Sequence, residues 1–232
     1  MESELVWTGR TGPFPLHIGE GVFAPTTTSR EMGDNLRVEP DDVVVDVGCG
    51  SGILTFVAAR LGAKKVWGTD PNPASVACAR ENAERLGLSG VVEFRNAGFF
   101  EQLDGVRASV VIGDISGIPD ELARASGWFP GGFSGGPTGA EVPVIMLRQA
   151  RAFLQPGGRL YLPTGSLQAE ATILEAARSL FRTMKQLSER TVPLPASLAE
   201  SAAAKSLMER GIIKLTRRGS RFLWQMRTWE CS

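Results

Sequence analysis

The 232-residue sequence predicts an α/β fold with a seven-stranded, mostly parallel, Rossmann-like sheet, helices on both faces and an antiparallel carboxyl-terminal edge. Two observations predict it. Short apolar strand patterns alternate with helical patterns from residue 42 onward, which is typical of parallel sheets covered on both faces. Two further strand patterns then follow near the carboxyl terminus, which indicates an antiparallel edge.

The parallel strands are predicted from short runs rich in β-branched residues. They are Val43–Val47, Lys65–Thr69, Val91–Arg95, Ala108–Ile112 and Gly158–Pro163. Helices are predicted between them from apolar residues at helical spacing and from capping residues such as Asn72 and Gly87. These helices are Ser51–Leu61, Pro73–Leu86, Glu141–Leu154 and Ser166–Phe181.

Met184–Arg190 and Arg221–Glu230 are predicted as the last two strands, separated by a helix over Ala196–Arg210. Two segments rich in glycine and proline fit neither sheet nor helix: the first 25 residues and the loop 126–139. We therefore expect residues 1–35 to form a leader that covers a ligand. Residues 36–232 would form one domain, with a lid loop over 126–140.

Composition excludes several function classes. Charge is balanced, with 25 basic and 25 acidic residues, so a nucleic-acid partner is not expected, although residues 200–232 carry seven basic residues against three acidic ones. Cys49, Cys78 and Cys231 lie far apart and His17 is the only histidine, so no metal site is expected. The sequence shows neither a signal peptide nor a membrane span, and we expect a cytoplasmic protein.

The stretch VVVDVGCGSGIL carries the functional signal, because it places Gly48, Gly50 and Gly52 on alternate positions after a strand that contains Asp46. No Gly-Lys-Ser/Thr follows, which excludes a P-loop. The third glycine comes one residue too early for a dinucleotide fingerprint, where Ile53 stands. Asp46 would repel a pyrophosphate, so the turn suits a cationic nucleoside such as S-adenosylmethionine.

This D-x-G-x-G-x-G pattern resembles motif I of the class I S-adenosylmethionine-dependent methyltransferases. Asp70 follows 24 residues after Asp46, at the end of the second strand, where the family's acidic residue accepts both ribose hydroxyls. The family's adenine-binding aspartate is replaced by Gly98, which leaves Asn96, Ala97 or a backbone carbonyl as alternatives. The resemblance therefore implies cofactor contacts from Asp46, Gly48, Gly50, Ser51, Gly52, Asp70, Pro71, Asn96, Ala97, Gly98, Asp114 and Thr27.

Gly135–Ser166 and the stretch GVFAPTTTSREMGDNL resemble segments of the release-factor glutamine methyltransferases and their small-methyltransferase relatives. Those enzymes carry Asn-Pro-Pro-Tyr after the fourth strand, whereas this chain reads Asp114-Ile-Ser-Gly. The change removes the aromatic platform for an amide nitrogen. We therefore expect an amine, hydroxyl or carbon acceptor on a small organic molecule.

Asp114 is the first candidate for a catalytic base, or else a turn cap or a contact of the cofactor's ammonium. His17 is a second candidate base, with an exposed bystander as the alternative. The threonines at 26–28 could bind the cofactor or only cap a helix, and Trp128, Phe129 and Phe133 could close a lid or fill the core.

Three functional hypotheses follow. The first is methyl transfer to a small molecule, and an arginine content far above the lysine content favours a GC-rich genome and hence secondary metabolism. The second is a protein or RNA methyltransferase, supported only by the basic carboxyl terminus. The third is a cofactor-binding subunit without turnover. The oligomeric state is left open.

Overall fold

The computed structural model describes residues 2–129 and 133–232. In chain order the strands are β1 (Ser3–Trp7), β2 (Phe14–Ile18), β3 (Val43–Val47), β4 (Lys65–Asp70), β5 (Val92–Asn96), β6 (Ala108–Ile112), β7 (Leu154–Gly165), β8 (Met184–Leu194), β9 (Thr216–Arg218) and β10 (Arg221–Cys231). The helices are α1 (Thr27–Asn35), α2 (Ile53–Arg60), α3 (Pro73–Arg85), α4 (Asp120–Ser126), α5 (Glu141–Phe153), α6 (Glu170–Leu180), α7 (Ala196–Ala199) and α8 (Ala202–Glu209).

The main sheet confirms the predicted α/β architecture. Its strand order is β5-β4-β3-β6-β7-β10-β8, and β3 to β7 pair in parallel while β10 pairs antiparallel with β7 and β8. The strand count is eight rather than the predicted seven, because the short β9 pairs with β10 as a hairpin. Three exposed residues, Thr-Arg-Arg, carry no apolar alternation that would predict this strand.

Strand β3 lies at the centre of the sheet and is buried on both faces. Val44 belongs to the apolar cluster on one face, whereas Val45 and Val47 belong to the cluster on the other. Helices cover both faces of a parallel sheet, which is why this strand has a continuous apolar run rather than an alternating one.

The strand order reverses beside β3, because β4 and β5 lie on one side of it and β6 and β7 on the other. Ligands of open parallel sheets bind beyond the carboxyl ends of the strands at such a switch point. Asp46 lies near the carboxyl end of β3, and Asp114 follows β6 by two residues. The topology therefore brings these two carboxylates to the same crevice.

Residues 3–18 are not wholly irregular, contrary to the prediction for this part of the chain. Strands β1 and β2 form an antiparallel hairpin, and Trp7, Phe14, Leu16 and Ile18 are buried in the core. The alternation of Phe14, Leu16 and Ile18 with half-exposed residues is a strand signal that the glycines and prolines around it obscured.

Two predicted helices differ from the structure by more than one or two residues at an end or in continuity. The helix predicted from Ser166 starts at Glu170, because β7 extends to Gly165 and Ser166 bonds to Lys214 and Gln225. The helix predicted over 196–210 is two helices, and the Ser201 side chain caps the second by accepting from the Ala204 N–H at 3.2 Å. Within residues 2–129 and 133–232, no helix has the length and apolar character needed to cross a membrane.

Candidate functional site

A cavity of about 1000 Å³ opens at the carboxyl ends of β3, β4 and β6. Its walls come from residues 21–29, the turn after β3, the loops after β4 and β6, and the ends of β7, β8 and β10. One half is lined by the glycine-rich turn and Asp70, and the other by apolar side chains such as Pro163, Trp224 and Met226. The two halves have the chemical character of a nucleoside site joined to a site for an apolar group.

The turn after β3 is held in shape by backbone hydrogen bonds. The N–H groups of Gly48 and Cys49 both donate to the Thr69 carbonyl, at 2.8 and 3.0 Å. Gly50 has a φ of +54°, and among the described residues a Cβ there would approach only the Phe23 carbonyl oxygen, at 3.8 Å. A side chain at this position would be strained and would project into the cavity, so glycine keeps the floor open to a ligand.

Asp70 is preorganised at the end of β4. Its Oδ2 accepts from the Gly50 N–H and its Oδ1 from the Asn72 N–H, each at 2.9 Å. The side chain is 8% exposed, and burial raises its pKa although these bonds and the Ser75 hydroxyl lower it. These three hydrogen bonds orient the carboxylate, and its remaining acceptor capacity is available to ribose hydroxyls.

Three carboxylates line the cavity: Asp46, Asp70 and Asp114. The pKa of Asp46 is raised to about 7, mainly by burial and also by the charges of Asp114 and Asp70. The Thr55 hydroxyl acts in the opposite direction through a 2.6 Å hydrogen bond. Burial also raises the pKa of Asp114 to about 6, against the hydrogen bond from Ser29. Such a concentration of negative charge favours a cationic ligand and repels phosphates.

Ser51 provides a direct test of whether a cofactor fits. It is 1% exposed and lines the cavity, and its Oγ has no hydrogen-bond partner in the described part of the chain. A buried hydroxyl without a partner is costly, so a polar group of a ligand is the expected partner. The open floor at Gly50, the ready acceptors of Asp70 and this free hydroxyl all fit S-adenosylmethionine.

Asn96 and Ala97, the residues predicted to bind the adenine of the cofactor, are placed differently from the prediction. The Asn96 amide donates to the carbonyls of Asp70 and Pro71, both at 3.0 Å, and the Ala97 N–H donates to the Asp70 carbonyl at 3.1 Å. Both groups thus hold the loop rather than a ligand, and neither residue lines the cavity. Gly98 does line it, as predicted, and so does Phe99, for which the sequence suggested packing at the adenine end.

His17 is not brought to the cavity, contrary to its role as a candidate base. It lies on β2, and its ring nitrogens are 3.8 Å from Glu4 and 3.9 Å from Glu81. Its backbone N–H and carbonyl both bond to the side chain of Asn82. The hairpin turns this residue toward α3, so it cannot accept a proton at the site.

Residues 21–29 cover the cavity. Thr26 caps α1 by accepting from the Thr28 N–H, Thr27 lines the cavity, and the Thr28 hydroxyl lies 3.1 Å from the Met226 sulfur. Ser29 is buried, and its hydroxyl lies close enough to Asp114 to lower the pKa of that carboxyl, a proximity that the sequence did not reveal. The segment thus encloses the site and places a hydroxyl beside the candidate catalytic carboxylate.

The glycine-rich loop also reaches the cavity, which Trp128, Phe129 and Phe133 line. The Phe129 ring stacks on Phe23 with centroids 5.1 Å apart and an interplanar angle of 8°. Residues 130–132 of the predicted lid, 126–140, lie outside the described residues. The described flanks place aromatic side chains over the apolar half of the site.

Comparisons with known proteins agree with this geometry. The family model of ribosomal protein L11 methyltransferase (PrmA) matches residues 17–127. The ribosomal protein L11 methyltransferase of Syntrophomonas wolfei is 33% identical over 121 residues, which are 49% of this chain and 39% of that protein. That of Salmonella arizonae is 37% identical over 104 residues, 45% of this chain and 34% of that protein. The matched part thus spans less than half of these relatives.

A solved structure shows the same fold. The T. thermophilus 16S rRNA N2 G1207 methyltransferase, in complex with AdoMet and guanosine, superposes with a TM-score of 0.64 at 17% identity, over 100% of this chain and 50% of that one. Fold and site are similar to those of the class I S-adenosylmethionine-dependent methyltransferases. Within that class, the sequence similarity over residues 17–127 is to the ribosomal protein L11 methyltransferases.

Two expectations are corrected by these comparisons. The matching family is not the release-factor glutamine methyltransferase branch that the Gly135–Ser166 segment resembles. The expectation of a small-molecule acceptor is also wrong, because the curated relatives are named for methylation of a ribosomal protein. The absence of Asn-Pro-Pro-Tyr bears on the type of acceptor atom, and it carries no information on the size of the molecule that bears this atom.

Proposed function

We propose that this chain transfers the methyl group of S-adenosylmethionine to a nitrogen of a protein, and that Asp114 orients that nitrogen. One observation supports this most directly. Asp114 lines the same cavity as Asp70 and Gly50, which are joined by a hydrogen bond beyond the carboxyl ends of the central strands. The names of the matched relatives support a protein acceptor, and ribosomal protein L11 is the first acceptor to test.

The cofactor would be held by the turn and by two carboxylates. Asp70 would accept the ribose hydroxyls, Gly48 and Gly50 would give the backbone room to approach, and Asp46 would face the positive charge of the ligand. Ser51 would offer its free hydroxyl to the amino-acid end. S-adenosylmethionine supplies a methyl group that is already activated by its sulfonium.

Asp114 would act on the acceptor. With a pKa near 6 it is ionised at neutral pH, and it can accept a hydrogen bond from an acceptor N–H. The Ser29 hydroxyl on α1 favours the ionised form of this carboxylate, because it lowers the pKa of Asp114. Since the methyl group is activated beforehand, correct placement of the nitrogen and exclusion of water are the main tasks left to the protein.

The test uses tritiated S-adenosylmethionine, purified ribosomal protein L11 and a ribosome-depleted bacterial extract, with and without ribonuclease. We expect label in a protein band that survives ribonuclease, is lost with protease and maps to a nitrogen by mass spectrometry. Label that ribonuclease removes would overturn the protein acceptor. Cofactor binding by calorimetry without any transfer to extract would instead indicate a binding subunit.

A further inference from the structure

The apolar half of the cavity contains two polar side-chain atoms that no described residue satisfies. Ser116 Oγ and Gln168 Nε2 are buried without a hydrogen-bond partner in the described residues, and both residues belong to the lining of the cavity. Around them stand apolar walls that include Pro163, Leu167 and Val192. Buried polar atoms almost always have hydrogen-bond partners in folded proteins. Two such atoms without partners beside one cavity therefore indicate that a ligand supplies the partner.

Gln168 is fixed in place by the loops around it. A Cβ on Gly117 would lie 2.1 Å from Gln168 Oε1, and a Cβ on Gly139 would lie 3.0 Å from Gln168 Cβ. The backbone beside Gln168 is held as well, because the Ala169 N–H donates to the Thr138 carbonyl at 3.0 Å. Three loops thus converge on an amide that is 8% exposed.

The position of the Gln168 side-chain amide is better explained by a bound ligand than by a role in stabilising the fold. Gly117 and Gly139 leave room for the Gln168 side chain, yet no described residue accepts a hydrogen bond from its Nε2. Rotation about the last side-chain torsion, which is broad in glutamine, can present either its donor or its acceptor to the cavity.

The charge of the cavity limits what the ligand group can be. Asp46, Asp70 and Asp114 make the site negative, so a phosphate or carboxylate would be repelled. Ser116 and Gln168 carry no charge, and the surrounding walls are apolar. A neutral group that both accepts and donates hydrogen bonds, as a peptide amide does, matches the carboxamide of Gln168 and the hydroxyl of Ser116.

We propose that Gln168 and Ser116 bind a peptide amide of the acceptor next to the nitrogen that is methylated. They would thereby select acceptors that present an uncharged amide group at this position. The inference rests on the proposed transfer to protein. Gln168 would donate to the peptide carbonyl oxygen, while Ser116, two residues after Asp114, would bond to the same amide unit. The two residues determine specificity, and the methyl transfer itself does not pass through them.

The first test needs no acceptor. Gln168→Met keeps the length of the side chain but removes the unpaired amide, so the acceptor-free protein should unfold about 2–4 °C higher. Gln149→Met is the matched control, because Gln149 is exposed on α5 outside the cavity, and it should leave the unfolding temperature unchanged. A lower unfolding temperature for Gln168→Met would overturn the inference, because it would show that the amide stabilises the free fold.

The second test separates this inference from the proposed function. With ribosomal protein L11 as acceptor, Gln168→Met and Ser116→Ala should each raise KM for the acceptor by roughly 3–10-fold, the usual loss for one neutral hydrogen bond. Their kcat and their cofactor affinity in calorimetry should stay near the wild-type values. Wild-type activity with unchanged KM in both variants would overturn the inference alone, whereas no wild-type transfer to any protein would overturn the proposed function.

Discussion

Phe23 stacks on Phe129 over the cavity, joining the segment before α1 to the glycine-rich loop after α4. The two rings belong to segments that sequence analysis identified separately as a covering leader and a lid. Their contact encloses the site from two directions. A cover of this kind excludes water from a transfer reaction and strengthens the electrostatic interactions beneath it.

The stack should contribute to ligand retention. Phe23→Ala and Phe129→Ala should each weaken cofactor binding by roughly 3–10-fold, because a stacked aromatic pair stabilises by about 0.5–1.5 kcal/mol beyond its buried area. A double-mutant cycle by calorimetry should show that the two losses are not additive. Ile145→Ala, on an exposed side chain of α5, is the control. Additive losses would mean that the rings act independently.

Asp70→Ala should weaken S-adenosylmethionine binding by about 2–3 kcal/mol, because it removes charge-assisted hydrogen bonds to two ribose hydroxyls. Calorimetry measures the loss. Since the same carboxylate accepts from Gly50 and Asn72, a thermal scan must accompany it. Asp104→Ala, an exposed carboxylate on a turn outside the cavity, should bind normally. Unchanged affinity in a folded Asp70→Ala protein would remove Asp70 from the site.

Asp46→Asn should stabilise the cofactor-free protein at pH 8. The pKa of Asp46 is about 7 in the fold and 3.8 in the unfolded chain, so the charged form is disfavoured by folding at high pH. The gain, up to about 4 kcal/mol above pH 7, should shrink as pH falls and vanish below pH 4, where the aspartic acid is neutral in both states.

Chemical denaturation across this pH range measures the difference in unfolding free energy between Asp46→Asn and the parent protein. The Asn oxygen can still accept from Thr55, so the substitution changes charge with little change in packing. The same variant should lose cofactor affinity at pH 8. A variant that is less stable at every pH would mean that the Asp46 charge is compensated within the fold.

Asp114→Asn should lower turnover roughly 10²–10⁴-fold, the usual contribution of a positioned base. Cofactor affinity at pH 8 should change by no more than about threefold, because an amide of the same shape fills the space. Turnover of the parent enzyme should rise with pH through about 6, as the carboxylate ionises, and this rise should disappear in the variant. Normal turnover would leave Asp114 as a turn residue.

Much of the fold could be predicted because its signals are local. The bounds of β3 and β6 agree with the strand runs, and the ends of β4 and α3 differ by about one residue from those predicted. These elements are specified by residues adjacent in sequence, through β-branched runs and capping residues. Asp46 and Asp70 could be assigned to one cavity because parallel strands end at a common edge.

The remaining features depend on contacts between distant residues. Ser29 reaches Asp114 from another element, and Gln168 reaches Gly117 across two loops, so no pattern in sequence could show either pair. Asn96 and Ala97 illustrate the same limit, since their polar groups are already engaged by the carbonyls of Asp70 and Pro71. A sequence shows which hydrogen-bond donors exist, but it does not show which of them are already bonded to acceptors within the fold.

Asn82 connects the amino-terminal hairpin to the cofactor turn. Its side chain, 1% exposed, bonds to the N–H and carbonyl of His17 at 2.8 Å each and to the Ser51 carbonyl at 3.1 Å. Coupling of this kind is reciprocal: a ligand that steadies the turn also steadies β2, and loosening β2 weakens the ligand. The amide proton of His17 should therefore exchange with solvent more slowly when cofactor is bound, so the hairpin reports occupancy from outside the cavity.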